Sequence, residues 1–183
     1  MWNKVLYFVS GFLKGRVIRG PGGEPYLERY MVARWGSSAL FLHRFLASDP
    51  DRGLHDHPWA RSVSLIVGGG YQEKRLVSRD GAIWMKIREV RAGDLNVIEG
   101  DDFHQVVLPR GRYAWTLFYH GPRVKRWGFA VSADCALGQE GPYATARYDE
   151  VPEEAREEPW ELRAPKGRRL PGRMPVDYYM TKI

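Results

Sequence analysis

Turns rich in glycine, proline and aspartate divide most of this chain into short apolar runs. Between residues 26 and 131 these runs are rich in Val, Ile, Leu and aromatic residues, which is typical of β-strands. The turns recur about every 8–12 residues, and no helical period of any length interrupts the region. They lie at residues 49–53 (DPDRG), 68–70 (GGG), 79–81 (RDG), 99–102 (EGDD) and 109–111 (PRG). Many short strands at this spacing predict an all-β fold, either a sandwich or a barrel.

The two ends of the chain differ in pattern from this β-rich region. Apolar residues recur at helical spacing near the N-terminus, at Trp2, Leu6, Val9 and Leu13. They predict a short amphipathic helix, so residues 1–25 are interpreted as a helix and a linker. Residues 134–183 contain an acidic stretch, a basic stretch and prolines that oppose a long helix. We expect this extension to be extended and to pack on the barrel of residues 26–133 or on a partner subunit.

The composition excludes several classes of protein. Cys135 is the only cysteine, so the chain holds neither an intramolecular disulfide framework nor a cysteine-rich zinc finger. No apolar run approaches the roughly 18–20 residues that a membrane span needs, and we expect a cytoplasmic location without membrane contact. The formal net charge of +6 permits phosphate contacts. Because the charge is scattered and residues 149–161 are acidic, nucleic acid is not expected as a partner.

Three of the five histidines have a placement that suits a metal ion. His55 and His57 open a predicted strand, so their side chains point to one face, about 6.5–7 Å apart along the chain. Asp56 then points to the opposite face. His104 opens another predicted strand, and an antiparallel barrel can bring the two strand ends together. Imidazoles so placed can converge on one ion at about 2.0–2.1 Å, although histidine pairs at this spacing also occur by chance and then only form hydrogen bonds.

The residues around these histidines resemble the two metal motifs of the cupin superfamily. The matching positions are His55, His57 and Gly69 for the first motif, and Gly93 and His104 for the second. The run LHDHPW followed by GGYQE also resembles a set of cupin-like proteins of bacteria and phages. The resemblance covers roughly residues 26–131. It implies a single cupin-type jelly-roll barrel that binds a metal ion, and a homodimer, since cupins commonly dimerise by strand exchange.

The chain departs from the cupin pattern where the family has a glutamate ligand. Arg61 or Ser62 falls at that position. Arginine offers only hydrogen-bond donors, and serine is a poor ligand. The predicted ligand set is therefore three neutral histidines, with water or substrate at the open positions. Glu73 is interpreted as a solvated residue or a contact outside the ligand set, and a fourth ligand is the alternative for it.

A three-histidine set suits one divalent ion of iron, zinc, nickel or copper, and its chemistry alone does not select among them. A site of this type without a carboxylate resembles the thiol dioxygenases among the cupins. That resemblance favours ferrous iron and implies a mononuclear non-haem oxygenase of the dioxygenase type, acting on a small molecule. Two alternatives stay open: a non-catalytic barrel that binds metal or senses a ligand, and a sugar isomerase or epimerase.

Aromatic and basic residues near the motifs are candidates for a substrate pocket. The resemblance to thiol dioxygenases implies an assisting tyrosine, and Tyr119 is the positional candidate, although the serine and histidine of the family pattern are missing. Arg44, if it points inward, would clamp a substrate carboxylate in a bidentate fork. His43 is interpreted as a structural histidine, with an inward-pointing side chain as the alternative, and His120 is interpreted as solvent-exposed. The predicted pocket walls are Trp59, Tyr71 and Trp115.

Overall fold

A computed structural model of the protein describes residues 1–132, 139–152 and 160–180, and antiparallel strands make up about half of these residues. Among these residues one α-helix, α1 (Trp2–Ser10), precedes the strands. The strands are β1 (Lys14–Arg19), β2 (Pro25–Trp35), β3 (Ser38–Phe45), β4 (Leu54–His55), β5 (Arg61–Arg79), β6 (Ala82–Arg91), β7 (Leu95–Glu99), β8 (His104–Val107), β9 (Ala114–His120), β10 (Gly128–Ser132), β11 (Gly141–Pro142) and β12 (Thr145–Glu150). Short 3-10 turns follow at Trp160–Leu162, Gly167–Arg169 and Tyr178–Met180.

Strand β5 is long enough to belong to two sheets. Its first half pairs with β9 and β7, and its second half pairs with β6 and β8. The first sheet runs β1-β2-β3-β9-β5-β7, and the second continues from β5 through β8, β4 and β10 to β12, while β11 pairs with β6. All pairs are antiparallel. The predicted all-β fold, a jelly roll with a short N-terminal helix and a C-terminal extension, is confirmed.

The three glycines at residues 68–70 form a bend inside β5 rather than the predicted turn between two strands. Gly69 has a φ of 69°. A Cβ at this position would lie 1.9 Å from the carbonyl oxygen of Tyr113. Since only glycine combines this backbone conformation with such a close approach, it is the residue that allows β5 to pass from one sheet to the other.

Apolar side chains cover both faces of the first sheet. On the inner face they form a core of Leu27, Phe45, Ile66, Tyr71, Val90, Val106 and Ala114. On the outer face a second cluster, under α1, contains Leu6, Tyr30, Leu42 and Trp115. The indole Nε1 of Trp115 donates a hydrogen bond to Asn3 Oδ1 in α1, at 2.7 Å. The expectation that Trp115 lines a pocket is therefore corrected, because its side chain packs between the sheet and the helix.

The C-terminal extension is held on the same outer face by a buried ion pair. Arg44 and Glu28 are 1% and 0% exposed and lie 3.3 Å apart. The Arg44 guanidinium donates to the carbonyl oxygens of Met174, Pro175 and Val176, at 2.9, 2.6 and 3.1 Å. Glu28 Oε1 accepts a hydrogen bond from the backbone N–H of Met174 at 2.7 Å. Arg44 thus anchors the extension, and its expected role as a substrate clamp is corrected.

The sheets reach beyond the predicted barrel of residues 26–133, since β1 precedes it and β12 follows it. The three predicted domain ranges themselves stay a prediction. No helix in the described part of the chain is long and apolar enough to cross a membrane.

Candidate metal centre

Pairing between β4 and β8 brings the predicted histidines together. His55 and His104 are direct partners in this pair, and His57 lies two residues further along the chain. His104 is buried, whereas His55 and His57 are half-buried. As predicted, Asp56 points away from them, and its carboxylate accepts hydrogen bonds from Lys125 Nζ and the N–H of Gly128, each at 2.6 Å.

The three imidazoles face a common point. The Nε2 atoms of His57 and His104 lie 2.8 Å apart, and one ring nitrogen from each of the three histidines falls within 4.8 Å of the others. The ring of His55 has its centroid 5.1 Å from that of His57 and 4.6 Å from that of His104. Nitrogens that share one ion at about 2.0–2.1 Å lie roughly 2.9–3.4 Å apart. The rings therefore need only small rotations to bind a single ion.

The electrostatic surroundings keep these imidazoles ready to bind. Burial, followed by the neighbouring His104, lowers the pKa of both His55 and His57 well below the ordinary value. Both rings are therefore neutral near pH 7, as a metal ligand must be. Asp49 lies behind His55, with its Oδ2 3.9 Å from His55 Nδ1. Burial raises the pKa of Asp49, whose Oδ2 also accepts a hydrogen bond from the N–H of Val106 at 2.8 Å.

Glu73 lies behind His104 and not among the converging nitrogens. Its side chain is fully buried, and its Oε1 is 2.9 Å from His104 Nδ1. The carboxylate also accepts hydrogen bonds from Arg88 at 2.7 Å and from Asn96 Nδ2 at 2.8 Å, and lies 3.3 Å from Arg75. With its oxygens occupied in this way, Glu73 orients the His104 ring, and the alternative of a fourth ligand is corrected.

The Glu73 contact also fixes the tautomer of His104. Burial would raise the pKa of Glu73, but the hydrogen bond from His104 and the charge of Arg75 outweigh it and hold that pKa well below its usual range. An ionised carboxylate only accepts hydrogen bonds, so Nδ1 of His104 carries the proton and Nε2 presents its lone pair. A carboxylate–histidine pair of this kind is the usual outer support of a metal ligand.

A cavity of about 840 Å³ opens onto the three histidines. Trp59 and Tyr71 line it, as predicted. The Trp59 ring stacks on His57 and on His120, with centroids 5.4 and 4.0 Å away. Further aromatic walls are Phe41, Phe118, Trp127, Phe129 and Trp160. The histidine centre thus lies in a concave site with largely aromatic walls, the usual form of a small-molecule site.

Strand β9 presents alternate residues to this cavity, and Tyr119 is not among them. Thr116, Phe118 and His120 line the cavity. Tyr119 points to the other face of the sheet and is 40% exposed, so its expected assisting role is corrected. His120 is only 7% exposed, which corrects its interpretation as a solvent-facing residue.

Arg29 was not predicted to line the cavity, and His43 was interpreted as structural rather than as inward-pointing. Arg29 Nε donates a hydrogen bond to His43 Nε2 at 2.9 Å, and both side chains line the cavity. The signal that could have found Arg29 is the alternation of β2, where Leu27 and Arg29 share one face.

Comparisons with known proteins show likeness in structure only. No family model matches the chain, and no curated protein matches it in sequence. A cupin-2 domain from Rhodospirillum rubrum is 16% identical, with a TM-score of 0.49 over 68% of this chain and 80% of that one. Hydroxypropylphosphonic acid epoxidase from S. wedmorenis is 13% identical, with a TM-score of 0.44 over 58% of this chain and 55% of that one. A DMSP lyase structure is 12% identical, with a TM-score of 0.48 over 65% and 63%.

Cupins are thus among the solved structures that this chain is similar to, as its motifs predicted. The chain matches only about half the length of the epoxidase, at 55% of that chain. At such low identity none of these proteins' activities is transferred to this one.

Proposed function

We propose that the protein is a mononuclear metalloenzyme of the non-haem oxygenase type, which holds one divalent ion through His55, His57 and His104 and acts on a small molecule. The observation that supports this most directly is the convergence of three ring nitrogens within 4.8 Å at the edge of a cavity. A purely structural trio of histidines would not need to face such a space.

The donor set fits the ion well. Three neutral imidazoles suit ferrous iron, zinc, nickel or copper, and they leave further coordination positions for small molecules. Iron is the metal that we favour, and zinc, nickel and copper are the alternatives. When bound, ferrous iron supplies the redox chemistry through which dioxygen oxidises an organic substrate.

The protein's own residues prepare the site for this role. Glu73 holds the proton on Nδ1 of His104 and thereby aims Nε2 at the ion position. The rings of Trp59 and Phe118 lie beside His57, with centroids 5.4 and 6.0 Å from it. They exclude water from one side of the centre, which strengthens electrostatic interactions inside the cavity.

Reconstitution followed by two readouts tests the proposal. Metal-free protein is loaded anaerobically with Fe(II), and the electron paramagnetic resonance spectrum is recorded with nitric oxide, which stands in for dioxygen. We expect a signal from nitric oxide on a protein-held iron that His57→Ala abolishes and His43→Gln retains. Oxygen uptake is then measured with cysteine, cysteamine and a series of carboxylic and phosphonic acids.

The outcomes separate the oxygenase from its alternatives. Uptake of oxygen that needs both iron and one of the small molecules supports the proposal. Iron that binds without admitting nitric oxide, or without uptake across the whole series, contradicts an oxygenase and favours a non-catalytic metal-binding barrel. The expected homodimer and cytoplasmic location stay predictions.

A further inference from the structure

Among the described residues, basic side chains outnumber acidic ones in the lining of the cavity beside the histidine centre. Its lining includes six arginines: Arg16, Arg19, Arg29, Arg34, Arg52 and Arg123. Among the described residues, Asp49 is the single carboxylate in that lining. A wall of this composition attracts anions and repels cations.

Two of the arginines face each other across neighbouring strands. Arg16 on β1 is the direct partner of Arg29 on β2, and both side chains line the cavity. Like charges directly opposite each other destabilise a sheet. Burial, and next the charge of Arg16, lower the pKa of Arg29 to about 10. Two cationic side chains therefore lie side by side in the cavity wall.

The row continues with polar groups that have unused hydrogen-bonding capacity among the described residues. Arg29 is the partner of His43 on β3, and His43 is the partner of Thr116 on β9. Arg29 uses Nε for its hydrogen bond to His43, and its guanidinium lies 5.2 Å from the centroid of Phe41. Its terminal nitrogens have no hydrogen-bond acceptor among the described residues. The buried Oγ1 of Thr116 likewise has no hydrogen-bond partner there.

This polar row lies one aromatic ring from the histidine centre. The ring of Phe118 is 5.0 Å from His43 on one side and 6.0 Å from His57 on the other, between centroids. One small molecule can therefore reach both the arginine pair and the metal position.

From this arrangement we infer that Arg16 and Arg29 bind the oxyanion group of the substrate, so that the proposed enzyme acts on small organic acids. The inference rests on the proposed function and names its substrate class. Carboxylate and phosphate groups share the required chemistry, because each offers paired oxygens that match the guanidinium fork. The aromatic walls suit the apolar remainder of such a molecule.

Calorimetric titration with inorganic phosphate and with succinate, at a constant ionic strength set by chloride, tests this inference. Wild-type protein is titrated both free of metal and loaded with zinc. We expect binding of at least one of the two anions in both forms, with Arg29→Met weakening it at least about tenfold. Arg16→Met is the second variant, in case the first does not fold. Arg110→Met, a change at an exposed arginine outside the cavity lining, is the matched control and should bind as the wild type does.

The failures of the two proposals are distinguishable. Anion binding that needs zinc and is unchanged in Arg29→Met places the anion on the metal and contradicts the inference, while the metal centre stands. Absence of anion binding in both forms also contradicts it. Binding that depends on Arg29 in a protein that retains no metal supports the arginine site and contradicts the metalloenzyme. A preference between phosphate and succinate identifies which oxyanion the site selects, and either preference supports the inference.

Discussion

Replacement of Glu73 by glutamine exchanges one buried carboxylate oxygen for an amide nitrogen. It tests how far metal binding depends on the contact between this carboxylate and His104. The carboxylate is fully buried and 2.9 Å from His104 Nδ1. Glutamine keeps the shape and an acceptor oxygen but loses the negative charge that strengthens the hydrogen bond to His104. Loss of such an outer contact typically lowers metal affinity about 10–100-fold. We therefore expect Glu73→Gln to weaken metal binding by about 1.4–2.7 kcal/mol.

The same substitution also lowers the stability of the fold. The loss is smaller than that caused by removing one partner of a fully buried ion pair. The substitution takes the Glu73 carboxylate away from Arg75 and from Arg88, whose side chains are 18% and 49% exposed. Arg75 keeps its ion pair with Asp102 at 3.1 Å. Removing one partner of a buried pair costs about 3–5 kcal/mol, but water screens Arg88, so the loss falls below that range. Urea unfolding of metal-free protein measures this part separately from metal affinity.

Competition with a chromophoric chelator gives the metal dissociation constant of each variant. Glu89→Gln is the matched control, because it removes an exposed carboxylate on β6 that bonds only Gln72 among the described contacts, at 2.8 Å. It should bind metal as the wild type does. If Glu73→Gln folds and its dissociation constant stays within about twofold of the wild type, the proposed role of Glu73 is refuted.

Two further substitutions address the fold. Arg44→Met should lower the free energy of unfolding by about 3–5 kcal/mol, because it leaves the fully buried Glu28 without its cation. Metal affinity should not change. An unaltered urea midpoint would contradict the anchoring role of Arg44. Burial and then Arg29 hold the pKa of His43 in the folded protein well below the ordinary 6.5, so below that pH the unfolded chain binds a proton that the folded one does not. The free energy of unfolding of metal-free protein should therefore fall as the pH decreases below about 6.5, by up to about 1.4 kcal/mol per pH unit from His43, and His43→Gln should make this slope shallower. An identical slope in the variant would show that His43 does not contribute.

The parts of the structure that were predictable from sequence depend on local spacing. Short apolar runs separated by turns predict strands regardless of where each strand lies in the fold. The all-β fold could therefore be predicted from this pattern. The pair His55 and His57 shares a face because residues two apart in a strand always do. The third ligand lies on a different strand, so local spacing alone could not identify it. The resemblance to the cupin motifs pointed to His104.

What could not be predicted is which face of a strand turns inward. His43 and Arg44 are neighbours on β3, so only one of them can face the cavity, and the outer contacts of Arg44 with Glu28 and the C-terminal extension decide between them. Trp115 and Tyr119 were assigned to the wrong face of β9 for the same reason. A strand whose two faces are both covered carries no alternation that reveals the inner one.

The contact between Glu73 and His104 also had no local signal. It depends on the antiparallel register of β5 with β8, in which Arg75 is opposite His104 and Glu73 is opposite Val106. Strand β5 reaches this pairing only after its bend at Gly69, where the sequence predicted a turn between two strands. Long-range pairing of this kind is fixed by the whole fold and not by the residues near the site.

Metal content, determined by elemental analysis of protein purified without a histidine tag, tests the central claim most directly. The account predicts one divalent ion per chain in the wild type, and loss of that ion in His55→Ala, His57→Ala and His104→Ala, each checked to be folded. His43→Gln, which changes a cavity histidine outside the converging trio, should keep it. A wild-type protein that takes up no divalent ion, or an ion that survives the loss of any one of the three histidines, would contradict the account.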